Sequence, residues 1–468
     1  MQVHSTLGRA LVDLRPRDPG RIGMYVCGAT VQSEPHVGHG RYAVVFDVIR
    51  RYLQWRGFVV TYVRNITDID DKIISAAAEA GESVDERAER ISRIFADAYR
   101  DLGVDPPDVE PKATEHIPDM VDLISRLIER GLAYQGKNGD VYFAVRAFEE
   151  YGRLSGRHVD ELLAGARVEV SPFKRDPLDF ALWKAAKPGE PAWESPWGEG
   201  RPGWHIECSA MAARYLGEDF DIHGGGADLI FPHHENEIAQ SEGATGQPFA
   251  RFWLHNGMVN LSGEKMSKST GRLIGLQEVI AAYGGPAVRL FYLRAHYRSP
   301  IEFSDSLLED AAAAAERLGR TLERIGPALD EPDPAALAEF TAAMDDDFST
   351  PEALGILFDA LRESNRLLDA GEPAGSVGAV VVTMAEVLGL GVPETAAIDD
   401  LAVALAELGA TFGVEEGDPV ATLDGLVEAR EAARSRKDFA AADAIRQGLA
   451  KVGVAIEDTP AGARWRRG

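Results

Sequence analysis

A strand, a helix and a second strand follow one another between residues 24 and 63, and no other feature constrains the fold of this chain as much. Met24-Tyr25-Val26 is a short apolar run. A loop rich in glycine, proline and histidine follows, then a helix-like stretch from about Arg41 to Arg56, then the β-branched and aromatic run Phe58 to Val63. Strands joined through a helix pair in parallel, and a parallel sheet is covered on both faces, so its strands read as continuous apolar runs. Helical patterns from Asp70 to about Gly81 and from Val84 to about Leu102 continue the alternation. The expectation is an α/β fold with a Rossmann-like, doubly wound parallel sheet, whose ligands bind at the carboxyl ends of the strands. Cys27 falls at such an end.

A chain of 468 residues exceeds a typical single core, which implies two to four domains. The texture changes between about Pro106 and Pro202, where strand-like DVYFAV and scattered Trp183, Trp193 and Trp197 suggest an insertion into the sheet domain. The α/β texture returns at Trp204 and runs to about Phe303. From Asp305 to about Gly409 the chain is Ala-rich and helical, with breaks near 326–334 and 371–375, and the run Ala311 to Ala315 reads as bundle packing. From about Glu415 a helix pair precedes an extended end. The expected domains are therefore a sheet domain over 1–105 and 203–303, a connective insertion over 106–202, a helical bundle over 304–410 and a small C-terminal domain over 411–468.

Charge and cysteine usage narrow the function. Two cysteines, Cys27 and Cys208, cannot build a disulfide framework and fit a reducing compartment. They are either unrelated buried thiols or members of one site brought together by the fold. Met1 to Asp18 lacks the apolar core of a signal peptide, and the longest apolar stretch, Val377 to Val392, contains Glu386 and is short for a bilayer, so a cytoplasmic chain with no membrane association is expected. A formal net charge of -26 argues against non-specific nucleic-acid binding, because phosphate affinity comes from Lys and Arg. It leaves room for a local basic footprint: from Arg430 onward nine Lys/Arg face five Asp/Glu, a local net of +4.

Three motifs carry the chemistry. Pro35-His36-Val37-Gly38-His39-Gly40 lies between a strand end and a helix start, where backbone N–H groups and the helix dipole favour an anion. Gly38 and Gly40 permit a phosphate to approach closely, and His36 and His39 can donate hydrogen bonds to charge developing on it. Taken alone, such histidines can equally cap and pack a loop. Lys265-Met266-Ser267-Lys268-Ser269, between Gly263 and Gly271, offers two cations in a small loop able to clamp a polyphosphate; taken alone, it is a solvated loop. In the third, Cys208 lies in Trp204-His205-Ile206-Glu207-Cys208, at a helix start, and His233 and Glu237 lie four apart, on one helical face. Cys27, Cys208, His233 and Glu237 would supply two sulfurs, a nitrogen and an oxygen to a zinc ion; the alternative is a packed histidine and a surface glutamate.

Paired in this order about 230 residues apart, HVGH and KMSKS resemble the signatures of class I aminoacyl-tRNA synthetases. The strings MYVCGATVQSEPHVGHGR, NITDIDDKI, PGWHIECSAMA, DIHGGGADLIFPHHENEIAQS and GEKMSKS are similar to those of the cysteinyl-tRNA synthetases, and the carboxyl end ARSRKDFAAADAIR…EDT…WRR is similar too. The resemblance implies one zinc ion per chain on Cys27, Cys208, His233 and Glu237. It implies ATP held by His36, Gly38, His39 and Lys268, and catalysis by His36, His39, Lys265 and Lys268. Thr67 and Trp204 would line a cysteine pocket and Asp228 would hold a ribose hydroxyl; each can equally be an ordinary core or turn residue. His205, His223, His234 and His255 complete a histidine-rich stretch to which no individual roles are assigned.

The implied reaction activates L-cysteine with ATP, magnesium accompanying the phosphates, and then loads the amino acid onto tRNA-Cys. A zinc ion with an open position would accept the substrate sulfur as thiolate, selecting against serine in a way that a hydrocarbon pocket cannot. The helical bundle would contact tRNA. The tail would read its anticodon, with Arg434, Arg436, Lys437, Arg446, Trp465, Arg466 and Arg467 as candidate contacts; a solvated helix face is the plain alternative. A monomer is expected. Two rivals share the motifs: a ligase joining cysteine to an amino sugar in mycothiol synthesis, and a non-catalytic RNA-binding paralogue. Intact motifs oppose the paralogue, and the basic carboxyl end favours the tRNA enzyme.

Overall fold

The computed structural model describes residues 1–159, 172–261, 264–265, 274–326, 330–391, 401–414, 419–436, 438–459 and 462–467. These divide into two compact units, Met1–Gly391 and Val392–Gly468. Among the described residues, no helix is long and apolar enough to cross a membrane.

The first unit is built on the expected parallel sheet. Its strands are β1 (Arg21–Val26), β2 (Val59–Arg64), β3 (Phe220–Gly226) and β4 (Ala250–Asn256), in the spatial order β4-β3-β1-β2. The register sets Met24 beside Tyr62 on one side and beside Ile222 on the other. Strand order therefore runs outward in both directions from the β1/β3 pair, and the crevice at their carboxyl ends is where such sheets bind ligands. Helix α1 (Val37–Trp55) crosses from β1 to β2. Helices α2 (Asp71–Ala80) and α3 (Val84–Asp101) follow β2, close to the expected spans.

The two faces of β1 serve two cores. Ile22, Met24 and Val26 pack with α1 residues such as Val44, Phe46 and Val48. Tyr25 and Cys27 point the other way, into a core shared with Ile206, Cys208 and Met211 of helix α4 (Trp204–Leu216) and Ile238 and Ala239 of α5 (Glu235–Thr245). This is the period-two alternation of a strand, and it decides which helices Cys27 can meet.

The region expected as an insertion contains a helix, Ile117–Glu129, and a four-stranded antiparallel sheet from Ala133–Gln135, Val141–Phe143, Phe180–Ala185 and Gly200–Pro202. After β4 come three short strands, β5 (Val259–Leu261), β6 (Glu264–Lys265) and β7 (Ile301–Phe303), in the order β6-β5-β7. Helix α6 (Gly285–Leu293) lies between β6 and β7 in sequence. Four long helices, from Asp305–Ile325 to Gly375–Val387, complete the unit.

The second unit holds helices Ala402–Phe412, Pro419–Ser435 and Phe439–Lys451 and an antiparallel hairpin, Val454–Thr459 with Gly462–Arg467. Leu405, Leu423, Leu426, Ile445, Leu449 and Val454 form a core of its own. The boundary expected at 410/411 falls inside its first helix.

Candidate active site

Four segments converge at the carboxyl end of β1. Cys27 follows the strand directly and its amide donates to Gly224 of β3 (3.1 Å). Cys208 lies in the second turn of α4. Glu237 lies in the first turn of α5, and His233 in the irregular turn Ile230–His234 before it, where Phe231 is extended and the Phe231–Pro232 peptide is cis. The spacing of four still pairs them, with His233 Nε2 3.1 Å from Glu237 Oε1. The Cys27 thiol donates to Glu237 Oε1 at 3.3 Å and lies 3.6 Å from His233 Nε2. One donor atom from each of Cys27, Cys208, His233 and Glu237 lies within 4.8 Å of every other, and all four residues are buried. Asn65, just past β2, steadies the cluster by accepting from the Gly28 amide (2.9 Å) and the Cys208 thiol (3.6 Å).

The electrostatics of this cluster suit a cation. Burial works against the charge of Glu237, yet His223 and His233 together hold its carboxyl well below the usual range. Burial also opposes a charge on His233, but Glu237 and Cys208 together outweigh it and push the imidazole up to about 10. The thiols divide: burial and its neighbour Cys208 push Cys27 up, while hydrogen bonds from Cys27 and His233 overcome burial and bring Cys208 down to about 6. The Glu237 carboxylate is thus held anionic where water is excluded, with the His233 ring as its positive partner, the place that a bound metal ion would take over.

A histidine shell orients the donors. His223 donates to Glu237 Oε2 (2.8 Å), leaving Oε1 for the cluster. His205 meets His233 through the two Nδ1 atoms (2.9 Å), so Nε2 of His233 faces the thiols. His234 Nδ1 pairs with His255 Nε2 (2.8 Å), and His255 Nδ1 with Thr6 Oγ1 (2.7 Å). Burial, foremost, pushes His205, His234 and His255 down, His255 to about 3, so these rings are neutral. Such outer partners fix ring orientation in metal sites. Cys27, His223, His234 and Glu237 also lie within 4.8 Å of one another, but that set offers one sulfur instead of two. Two thiols, an imidazole and a carboxylate fit a tetrahedral zinc ion in donor type and number.

The HVGH segment starts α1 four residues earlier than expected. His36 is the N-cap: its Nδ1 accepts from the Gly38 amide (3.1 Å), while His39 Nδ1 accepts from the His36 amide (3.1 Å). The rings stack with centroids 3.8 Å apart. Because each Nδ1 accepts a backbone N–H, the ring proton sits on Nε2, which makes both Nε2 atoms donors. This is a capping box in which two histidines replace the usual Ser/Thr and Glu. The segment after the lysine loop is bonded to this start: Val37 N donates to Ile274 O (3.1 Å) and Leu276 N to Pro35 O (2.9 Å).

The remaining expected residues are placed as follows. Thr67 is buried beside Asn65, whose amide donates to its hydroxyl (3.3 Å). The Trp204 ring lies over His233, centroids 4.4 Å apart. Asp228 is exposed just past the carboxyl end of β3. The backbone of Lys265, in β6, pairs with Asn260 of β5. Lys268 lies outside the described residues, as does Lys437. In the second unit Arg434, Arg436 and Arg446 are exposed, and Trp465, Arg466 and Arg467 lie on the last strand. Asn65, His223 and Thr6 were given no role from sequence, and nothing in their local spacing signals one.

This sheet, its HVGH helix start and the buried donor cluster define a class. Residues 13–313 match the family pattern described as tRNA synthetases class I (C) catalytic domain, 339–392 the DALR domain, and 417–466 the cysteinyl-tRNA ligase anticodon binding domain. Among solved structures, Mycobacterium tuberculosis methionyl-tRNA synthetase bound by methionyl-adenylate superposes with a TM-score of 0.60 at 17% identity, covering 82% of this chain and 94% of that one. A putative arginyl-tRNA synthetase from Campylobacter jejuni gives 0.53 at 13%, covering 80% and 93%. Both likenesses concern the fold. Curated relatives are nearer: the cysteine–tRNA ligase of Thioalkalivibrio sulfidiphilus is 51% identical and that of Alkalilimnicola ehrlichii 52%, each over 100% of both chains. The chain belongs to the cysteine–tRNA ligase family.

Proposed function

We propose that this chain activates L-cysteine with ATP and transfers it to the 3′-terminal ribose of tRNA-Cys, with one zinc ion held by Cys27, Cys208, His233 and Glu237. The observation that carries the reading is the convergence of two thiols, an imidazole and a carboxylate on the carboxyl end of β1, the strand whose chain leads on into the HVGH helix start. When bound there, zinc supplies a soft acceptor for the substrate thiolate, which the hydroxyl of serine matches poorly.

In the first step a carboxylate oxygen of cysteine attacks the α-phosphorus of ATP, the bond to the β,γ-phosphates breaks, and pyrophosphate leaves. Little covalent work falls to the protein, so positioning and charge stabilisation dominate. The Nε2–H groups of His36 and His39 donate to the α-phosphate as charge builds. Lys265 and Lys268 hold the β,γ-phosphates and the leaving pyrophosphate, with magnesium accompanying ATP. Thr67 and Trp204 line the cysteine pocket, Gly38 gives the phosphate room, and Asp228 takes a ribose hydroxyl. In the second step the tRNA ribose hydroxyl attacks the adenylate carbonyl and AMP departs.

The reading assigns 1–105 and 203–303 to catalysis, 106–202 to a connective role, 304–410 to tRNA contact and the C-terminal part to the anticodon. The family match over 417–466 supports tRNA as acceptor over an amino sugar. The reading includes a monomer working in the cytoplasm. The test is transfer of radiolabelled cysteine to a tRNA-Cys transcript by the zinc-loaded protein. Acid-precipitable label with cysteine and none with serine is expected. Cysteine-dependent ATP–pyrophosphate exchange without labelled tRNA would instead move the acceptor to an amino sugar.

A further inference from the structure

Arg41 follows the HVGH motif by two residues on α1 and is fully buried, at 0% exposure. A buried guanidinium ordinarily sits against a carboxylate, as Arg289 of α6 does with Asp47. Arg41 has no such partner among the described residues. Its Nη1 donates to Met258 O (2.9 Å), and its Nη2 to His296 O (3.2 Å), Tyr297 O (3.3 Å) and Ser299 O. Burial accordingly pushes it down to about 10. A cation kept dry without an anion is costly, and its four carbonyl partners mark where it acts.

Those carbonyls belong to two stretches that leave the same place. Met258 opens into β5, and Ser299 lies two residues before β7. Met258 O also accepts from Ile301 N (3.0 Å), and Gly257 N donates to Tyr297 O (2.7 Å). The stretches are so close that a Cβ on Gly257 would lie 2.3 Å from Ser299 O. From this joint β5 pairs with β6, setting Asn260 beside Lys265. Arg41 therefore stands on the helix of the two histidines and grips the root of the strand pair that carries the first lysine. A guanidinium presents five donors in a fixed fork; an ammonium on a flexible stem cannot hold these acceptors in one geometry.

We infer that Arg41 is a positioning residue for ATP, tying the helix of His36 and His39 to the β5–β6 root so that the two phosphate-binding motifs keep a common register. The inference rests on the reading of the chain as an ATP-dependent cysteine-activating enzyme. It separates ATP from cysteine, because none of the four candidate metal donors touches Arg41 or its acceptors.

The test uses the full-length, zinc-loaded chain with Arg41→Lys and Arg41→Gln, the latter keeping donors but losing the charge. Cysteine-dependent ATP–pyrophosphate exchange gives KM separately for ATP and for cysteine, and calorimetry gives ATP binding without amino acid. Both variants are expected to keep their zinc content and cysteine KM while kcat/KM for ATP falls by about tenfold or more, lysine failing to rescue. Equal losses toward both substrates, or a lowered melting temperature with unchanged ATP parameters, would show that Arg41 only packs the core. Should the Arg41 variants not fold, Gly257→Ala opens the same joint from the other side, and its ATP parameters decide. If the unmodified chain shows no cysteine-dependent exchange, the activity reading falls while the ATP-binding comparison still judges Arg41.

Discussion

Glu237 spends its two carboxylate oxygens on different neighbours, Oε1 toward Cys27 and His233 and Oε2 toward His223. Replacing Cys208 by serine removes a soft donor, and Cys208→Ser is expected to lower bound zinc far below one per chain, measured by atomic absorption. His223→Gln leaves the four candidate donors in place but loosens the carboxylate. It should weaken zinc about 10- to 100-fold, read by competition with a chromophoric chelator, with the melting temperature of the zinc-free protein little changed. That Cys27, Cys208, His233 and Glu237 come together was legible because the strings around them resemble a known pattern; their role as metal donors is part of the proposal. The roles of His223, Asn65 and Thr6 were not legible, because each depends on a contact across the sheet. His255 and Thr6, for example, lie 249 positions apart.

Helix α1 shows what sequence rules reveal at the next scale. It was expected to start near Arg41; Pro35, and no Ser, Thr, Asp or Asn, stands just before His36-Val37-Gly38-His39, and glycine is a poor helix former, so the usual signals of an earlier start are missing. The histidine pair caps the helix instead, which residue statistics do not anticipate. Gly40 sits where a Cβ would come 2.7 Å from Leu276 Cδ1 and 2.8 Å from the Tyr292 hydroxyl. Gly40→Ala should cost roughly 1–3 kcal/mol of stability by overpacking, seen in denaturant unfolding, and should slow pyrophosphate exchange by displacing His39. A variant of normal stability and rate would mean the neighbours yield freely. The run Phe58 to Val63 lies within one residue of Val59–Arg64 because a buried parallel strand is continuously apolar; Met24 to Val26 misses the first three residues of Arg21–Val26, and β3 and β4 were not read individually. The irregular turn Ile230–His234 was not foreseen, since the spacing of His233 and Glu237 is the same in a regular helix.

At the scale of the molecule, the second unit closes its own core around Leu405, Leu423 and Leu449. Helix Ala402–Phe412 was read with the preceding bundle because an Ala-rich helix carries the same pattern in either setting; only the partners of Leu405 distinguish the two. A chain ending at Gly391 is expected to retain cysteine-dependent pyrophosphate exchange and lose most tRNA charging, measured side by side on the same preparation. Loss of exchange as well would tie the adenylate chemistry to the C-terminal unit.

The candidate zinc donors span 210 sequence positions, from a strand end to two helices on one face of the sheet. An ion held there is a reversible cross-link across the catalytic unit, so its occupancy is also a mechanical property of the fold. Stability should then follow free zinc by mass action, the melting temperature climbing with the logarithm of its concentration once the site begins to fill. A cell short of zinc would hold a chain that is both idle and easier to unfold, which makes the metal supply a control on how long the protein lasts.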